Sequence, residues 1–136
     1  MKNTVSTFLS MKQNGERLTE ITSYDYTTAK LVEKAGINAI LVGDSLGMTM
    51  MGYDTTLPVT MEDMIHHSAC VVRACENTMV IMDMPFMSYQ ASVSEAVRRT
   101  FDSCREHHVK TAITQCFKRL AGFLLLMNEK GSARHA

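Results

Sequence analysis

The chain has no tryptophan and only two prolines, Pro58 and Pro85, in 136 residues. A Pro-rich rigid linker is therefore excluded. It has no excess of charge of either sign, with 14 basic and 14 acidic residues. That balance leaves no electrostatic footprint for nucleic acid or for an anionic membrane. None of Cys70, Cys75, Cys104 and Cys116 stands in a C-x-x-C pair, which argues against a zinc site. Buried, reduced thiols in a cytosolic protein are the expectation instead. No basic segment followed by an apolar one opens the chain, so no signal peptide is expected. The longest late apolar run, residues 121–127, is far too short to cross a bilayer.

What remains is an ordinary globular composition, 46% hydrophobic, in a chain long enough for one domain with a real core. Twelve methionines are many. Methionine fills irregular gaps in cores, and no function is read into it.

The residues between 37 and 60 organise the rest. An apolar run over 37–42, broken only by Asn38, stops on Gly43-Asp44-Ser45. A long loop with Gly47 and Gly52 follows. A second run, Met79-Val80-Ile81-Met82, stops on Asp83 and then Pro85. Ligands of α/β proteins bind at the carboxyl ends of parallel strands. Two apolar strands thus bring Asp44 and Asp83 toward one rim.

Around these strands the chain alternates. Residues 4–12 form a short amphipathic helix stopped near Gly15. Residues 18–23 suit a first strand. Asp25 is placed to cap the next helix, on which Ala29, Leu31, Val32 and Ala35 lie on or near one face, and Gly36 ends it. Thr60-Met61-Glu62-Asp63 resembles a capping box with Asp for Glu, opening a helix with Met61, Met64, Ile65, Ser68, Val71, Val72 and Cys75 at helical spacing. Ser92 and Glu95 form a second such box before a stripe of Val93, Ala96, Val97, Thr100, Phe101 and Cys104. A further strand is expected around 109–113. Strand–helix alternation argues for parallel βα units and an α/β fold.

An aspartate after a strand is often only a helix cap. Here Thr60 and Ser92 already occupy the capping positions, which releases Asp44 and Asp83 for chemistry. Hard carboxylate oxygens at an open rim suit Mg²⁺, which keeps other positions for water and substrate oxygens. Ser45 can donate a hydrogen bond to a substrate carboxylate. His66 and His67 are adjacent, point to different sides of a helix, and read as solvated surface. The Gly43–Gly52 loop lacks the G-x-x-x-x-G-K pattern of a P-loop.

Ile21-Thr22-Ser23-Tyr24-Asp25-Tyr26, Leu41-Val42-Gly43-Asp44-Ser45-Leu46-Gly47-Met48, Thr56-Leu57-Pro58-Val59-Thr60 and Asp83-Met84-Pro85-Phe86-Met87-Ser88-Tyr89 together resemble the ketopantoate hydroxymethyltransferase family. The resemblance runs nearly continuously over 21–101. It implies a cytoplasmic, homo-oligomeric (β/α)₈ TIM barrel of pantothenate biosynthesis. The family transfers a hydroxymethyl group from 5,10-methylenetetrahydrofolate to 3-methyl-2-oxobutanoate, giving 2-dehydropantoate. Asp44 and Asp83 match its two Mg²⁺-ligating aspartates, and Asp44, Ser45 and Asp83 match positions that contact the keto acid. The implied chemistry is a Mg²⁺-stabilised enolate of the keto acid attacking the one-carbon unit.

The resemblance has a boundary. A closed barrel takes roughly 250 residues, about twice this chain, so residues 1–103 correspond to the first half of the barrel. Residues 104–136 diverge and read as a frameshifted or unrelated tail. Its 117–127 segment puts Phe117, Leu120, Ala121 and Leu124 on one helical face. The family's fourth strand carries Lys, then Glu two residues on, then glycines. Here Val109-Lys110 is followed by Ala112 at the Glu position, so Lys110 is assigned no role. The family's catalytic base belongs to the second half, and 1–136 alone is expected to be inactive. Two other readings stand: another Mg²⁺-dependent 2-oxo acid enzyme of the phosphoenolpyruvate mutase and isocitrate lyase superfamily, and a non-catalytic fragment.

Overall fold

The computed structural model describes residues 2–92, 94, 95 and 98, and the backbone of 112–113. The expected helical stripe over 93–104 lies largely, and the 117–127 segment entirely, outside the described residues. Helix α1 spans Val5–Gln13, β1 Glu20–Thr22, α2 Tyr26–Lys34 and β2 Ala39–Val42. Then come a one-turn helix α3, Leu46–Thr49, α4 at Met61–Ala74, β3 at Met79–Met82 and β4 at Ala112–Ile113.

All the strand pairs are parallel, and the sheet order is β1-β2-β3-β4. Each strand lies beside the next in sequence, with no switch of direction across the sheet. A doubly wound sheet reverses its order at a switch point, whereas a (β/α)₈ barrel does not. The sheet is therefore a run of consecutive barrel staves.

Local chemistry explains the elements. Thr4 opens α1 by accepting from the Thr7 amide, and the Thr7 hydroxyl accepts from the Thr4 amide. Asp25 caps α2 by accepting from Thr28 N and Thr28 Oγ1, and these bonds hold its carboxyl below the usual carboxylate range. Thr60 and Asp63 form the expected capping box of α4. Gly36, at φ 74°, ends α2 in the left-handed region that favours glycine.

Successive strand residues face opposite sides. Ile40, Val42, Val80 and Met82 pack on Ala29 and Val32 of α2 and on Met64, Val71 and Ala74 of α4. Ala39, Leu41, Met79 and Ile81 alternate with them and face the other way. Leu31 and Ala35 do not join the core as the sequence suggested; both are exposed. Leu31 is set about 200° around the helix from buried Ala29, so the apolar stripe there is narrower than expected. The loop after β2 also differs from expectation, since it contains the turn of helix α3. Cys70 and Cys75 are half-buried free thiols, and burial pushes the Cys75 thiol up to about 11, so it stays protonated.

The amino ends of the strands carry a polar clasp. Asn38, the break in the apolar run, accepts from Thr19 N at 3.0 Å and Thr19 Oγ1 at 2.8 Å through its side chain. Its carbonyl accepts from Asn3 Nδ2 and from Met79 N. Glu33 accepts from Asn77 N, Asn77 Nδ2 and Thr78 N. Burial pushes the Glu33 carboxyl up, but the donors of Thr78 and Asn77 outweigh it and hold it down at about 2. Its folded pKa is depressed, so its contribution is present above the unfolded value near 4.5 and is lost as pH falls toward 2. Glu33→Gln is expected to lower stability by about 1–2 kcal/mol at neutral pH. Urea melts of both proteins should converge as pH is lowered from 5 to 2. A constant gap across that range would show that the carboxylate charge is not what the clasp uses.

Candidate active site

The opposite, carboxyl ends of β1, β2 and β3 form the candidate site. The ladder continues one step past the strands: Ser23 N donates to Leu41 O at 3.2 Å and Asp83 N donates to Val42 O at 3.0 Å. Gly43 and Asp83 thus lie side by side, two residues beyond Leu41 and Ile81 and on their face. That face is the one turned away from α2 and α4. Asp83 is buried there.

Gly43 matters because it has no side chain. A Cβ built on it would stand 3.2 Å from Ser45 Oγ and 3.4 Å from Asp83 Oδ2. The serine hydroxyl and the aspartate carboxylate therefore flank one small space that glycine keeps open. Ser45 is the N-cap residue of α3, yet its side chain makes no capping bond. Its hydroxyl instead meets the Tyr24 hydroxyl at 2.9 Å. Tyr24 is half-buried against the core, and its carbonyl accepts from His67 Nδ1 at 2.7 Å. A carbonyl can only accept, so Nδ1 is the protonated ring nitrogen.

Of the residues singled out in the sequence, Ser45 and Asp83 are brought together around Gly43. Asp44 follows Gly43 directly, is half-buried, and leads into α3. His67 is not the solvated residue expected of it, because the α2–α4 packing carries it against the backbone of Tyr24. Of the two, His66 is the exposed one. Tyr24, Gly43 and His67 were not legible as site residues. Their bonds join positions 21 and 43 residues apart, which no local pattern reports.

The donor set can be tested against a divalent cation. Among the described residues no group of three or more His, Cys, Asp or Glu side chains could hold a metal. Mg²⁺ does not need one, since it commonly takes one or two carboxylates and fills its octahedron with water and substrate oxygens. A buried carboxylate, that of Asp83, beside a space that a Cβ would fill fits that mode, and Asp44 is next in sequence to Gly43.

A family model for ketopantoate hydroxymethyltransferase matches residues 2–121. The 3-methyl-2-oxobutanoate hydroxymethyltransferase of Clostridium novyi (strain NT) is 65% identical over 97 residues, covering 71% of this chain and 35% of that protein. The enzymes of the same name from Clostridium botulinum (strain 657 / Type Ba4) and Enterococcus faecalis (strain ATCC 700802 / V583) are 61% and 60% identical over the same length. The chain thus spans about a third of the length of these relatives. Among solved structures, 2,3-dimethylmalate lyase, a PEP mutase/isocitrate lyase superfamily member, matches with a TM-score of 0.59 at 20% identity. That match covers 83% of this chain and 40% of the lyase, and it bears on the fold alone. Consecutive parallel staves, the strand-end aspartates and these matches agree: the chain belongs to the ketopantoate hydroxymethyltransferase family.

Proposed function

We infer that this chain supplies the metal and oxo-acid end of a 3-methyl-2-oxobutanoate hydroxymethyltransferase site. The observation that carries the reading is the convergence of Ser45 Oγ and Asp83 Oδ2 on the open face of Gly43, at the carboxyl ends of parallel strands. Asp44 and Asp83 would hold Mg²⁺. Bound there, the ion would supply Lewis-acid polarisation of the keto oxygen, which acidifies the C3–H. The Ser45 hydroxyl donates a hydrogen bond to the substrate carboxylate. Gly43 leaves room for the planar oxo-acid group to lie against the strand ends.

The proton at C3 must be removed by a base held near it, a contribution of about 10²–10⁴-fold in such reactions. We assign that base, and the walls that hold 5,10-methylenetetrahydrofolate, to the part of the family's barrel that this chain does not span. Residues 1–136 alone then bind the oxo acid without turning it over. The divergence after about residue 103 belongs to the same reading, as do a homo-oligomeric assembly and a cytoplasmic location. Among the described residues no helix is long and apolar enough to cross a membrane.

The test is Mg²⁺ titration of the full chain, followed by calorimetry, with and without 3-methyl-2-oxobutanoate. Outer-shell changes at metal sites already cost roughly tenfold in affinity, so losing a direct ligand in Asp83→Asn should cost at least that. Equal affinity in the two proteins would remove Asp83 from the site.

A further inference from the structure

We propose that Tyr24 is a positioning residue for this site: anchored by His67, it fixes the Ser45 hydroxyl so that the serine proton is presented to an anionic oxo-acid group. The proposal rests on the reading of the site just given. It adds a side chain from β1's end, and one from α4, that the strand-end carboxylates do not require.

The geometry is a chain of two hydrogen bonds with one packed ring between them. His67 Nδ1 donates to the Tyr24 carbonyl at 2.7 Å, tying the end of β1 to α4. The Tyr24 ring packs against the core, so its two torsions are held. Its hydroxyl meets Ser45 Oγ at 2.9 Å, and Ser45 Oγ is one of the two groups flanking Gly43. An exposed serine hydroxyl samples three staggered positions of χ1. Ser45 makes no capping bond to α3 that would choose among them. The tyrosine contact is what selects the one beside Gly43.

Proton placement follows from the ligand. Two hydroxyls 2.9 Å apart share one proton between their oxygens and have one proton left over. When Tyr24 donates to Ser45, the remaining proton is on Ser45 and is free to be donated. An anion at Gly43 favours that arrangement, because it accepts from Ser45 while Ser45 accepts from Tyr24. Hydrogen bonds in such a chain strengthen one another. The anion is thereby bound more tightly than by a serine alone, and no proton leaves either residue.

The experiment is a double-mutant cycle on the full chain with Tyr24→Phe, Ser45→Ala and the pair. Binding of 3-methyl-2-oxobutanoate in saturating Mg²⁺ is read by calorimetry, and thermal melts are read alongside. Tyr24→Phe keeps the packed ring and removes one oxygen, so its melt should match wild type. Its affinity for the oxo acid should fall about five- to tenfold, the worth of one well-placed hydrogen bond. In the Ser45→Ala background the same change should do almost nothing, because the tyrosine acts only through the serine. Full affinity in Tyr24→Phe, or additive losses in the pair, overturns the positioning role while leaving the site reading intact. Failure of wild type to bind the oxo acid overturns both, and is seen before any variant is compared.

Discussion

Ile40→Ala should cost about 2–5 kcal/mol and Ile21→Ala under about 1 kcal/mol, although the two isoleucines sit in the same row of the sheet. Ile21 pairs with Ile40, and Ile40 pairs with Val80. Chemistry, row and facing direction are the same for both. What differs is cover. Ile40 is fully buried, packed with Ala29, Val32 and Met64, whereas Ile21 is 47% exposed on the outer strand β1. Removing three carbons from Ile40 leaves a cavity whose walls are two helices and two strands, and these relax only partly. A domain of this size holds about 5–15 kcal/mol in total, so the loss is a large share of it. Thermal or urea melts of the two variants measure the difference directly. Equal losses would mean that α2 and α4 do not cover β2 as described.

This contrast also shows how much of the fold was legible in the sequence. The apolar runs that became β2 and β3 are unmistakable, because strands covered by helices on one face and by other strands on the other read as continuous hydrophobic stretches. Their ends, at Val42 and Met82, are marked by a glycine and an aspartate that cannot continue such a run. Asp25 and Thr60 were readable as caps because capping is a local bond, across three residues. The parallel direction of the strands also follows from strand–helix alternation.

The rest was illegible for one physical reason: it is made of bonds between residues distant in sequence. Asn38 looked like a flaw in an apolar run. It is the residue that stitches Thr19, Asn3 and Met79 together at the amino ends of the strands. Glu33 looked like one more charge on an amphipathic helix, and it grips the entry to β3. His67 looked like surface. Its side chain faces the end of β1 only because α2 and α4 pack side by side. Each needs the assembled barrel wedge before its partner is within reach. Asp44 and Asp83 stood out earlier because strand ends announce themselves in one dimension. The open face of Gly43 between Ser45 and Asp83 did not, since it is a property of two neighbouring strands at once.

That open face carries the final expectation: Gly43→Ala should leave the fold nearly intact and cost on the order of 10²-fold in oxo-acid affinity. Gly43 is not among the glycines of positive φ, so an alanine there meets no backbone strain. The added methyl would lie 3.2 Å from Ser45 Oγ, which must give by a few tenths of an ångström, and 3.4 Å from Asp83 Oδ2, at ordinary contact distance. Both neighbours are side-chain tips, so the stability cost is small. The functional cost is of a different order, because the methyl occupies the space into which hydroxyl and carboxylate converge. It also pushes on the one serine rotamer that reaches Tyr24. Gly47→Ala is the natural control. A Cβ at Gly47 would overlap Val59 Cγ2, the side chain of a buried, β-branched residue that has little freedom to move. Gly47→Ala should therefore lose stability through overpacking, and Gly43→Ala should lose binding. Melts and calorimetric titration with Mg²⁺ and 3-methyl-2-oxobutanoate, run on both variants, separate the two effects. Wild-type affinity in a folded Gly43→Ala protein would show that the oxo acid does not lie against this glycine, and the site would have to be moved away from the ends of β2 and β3.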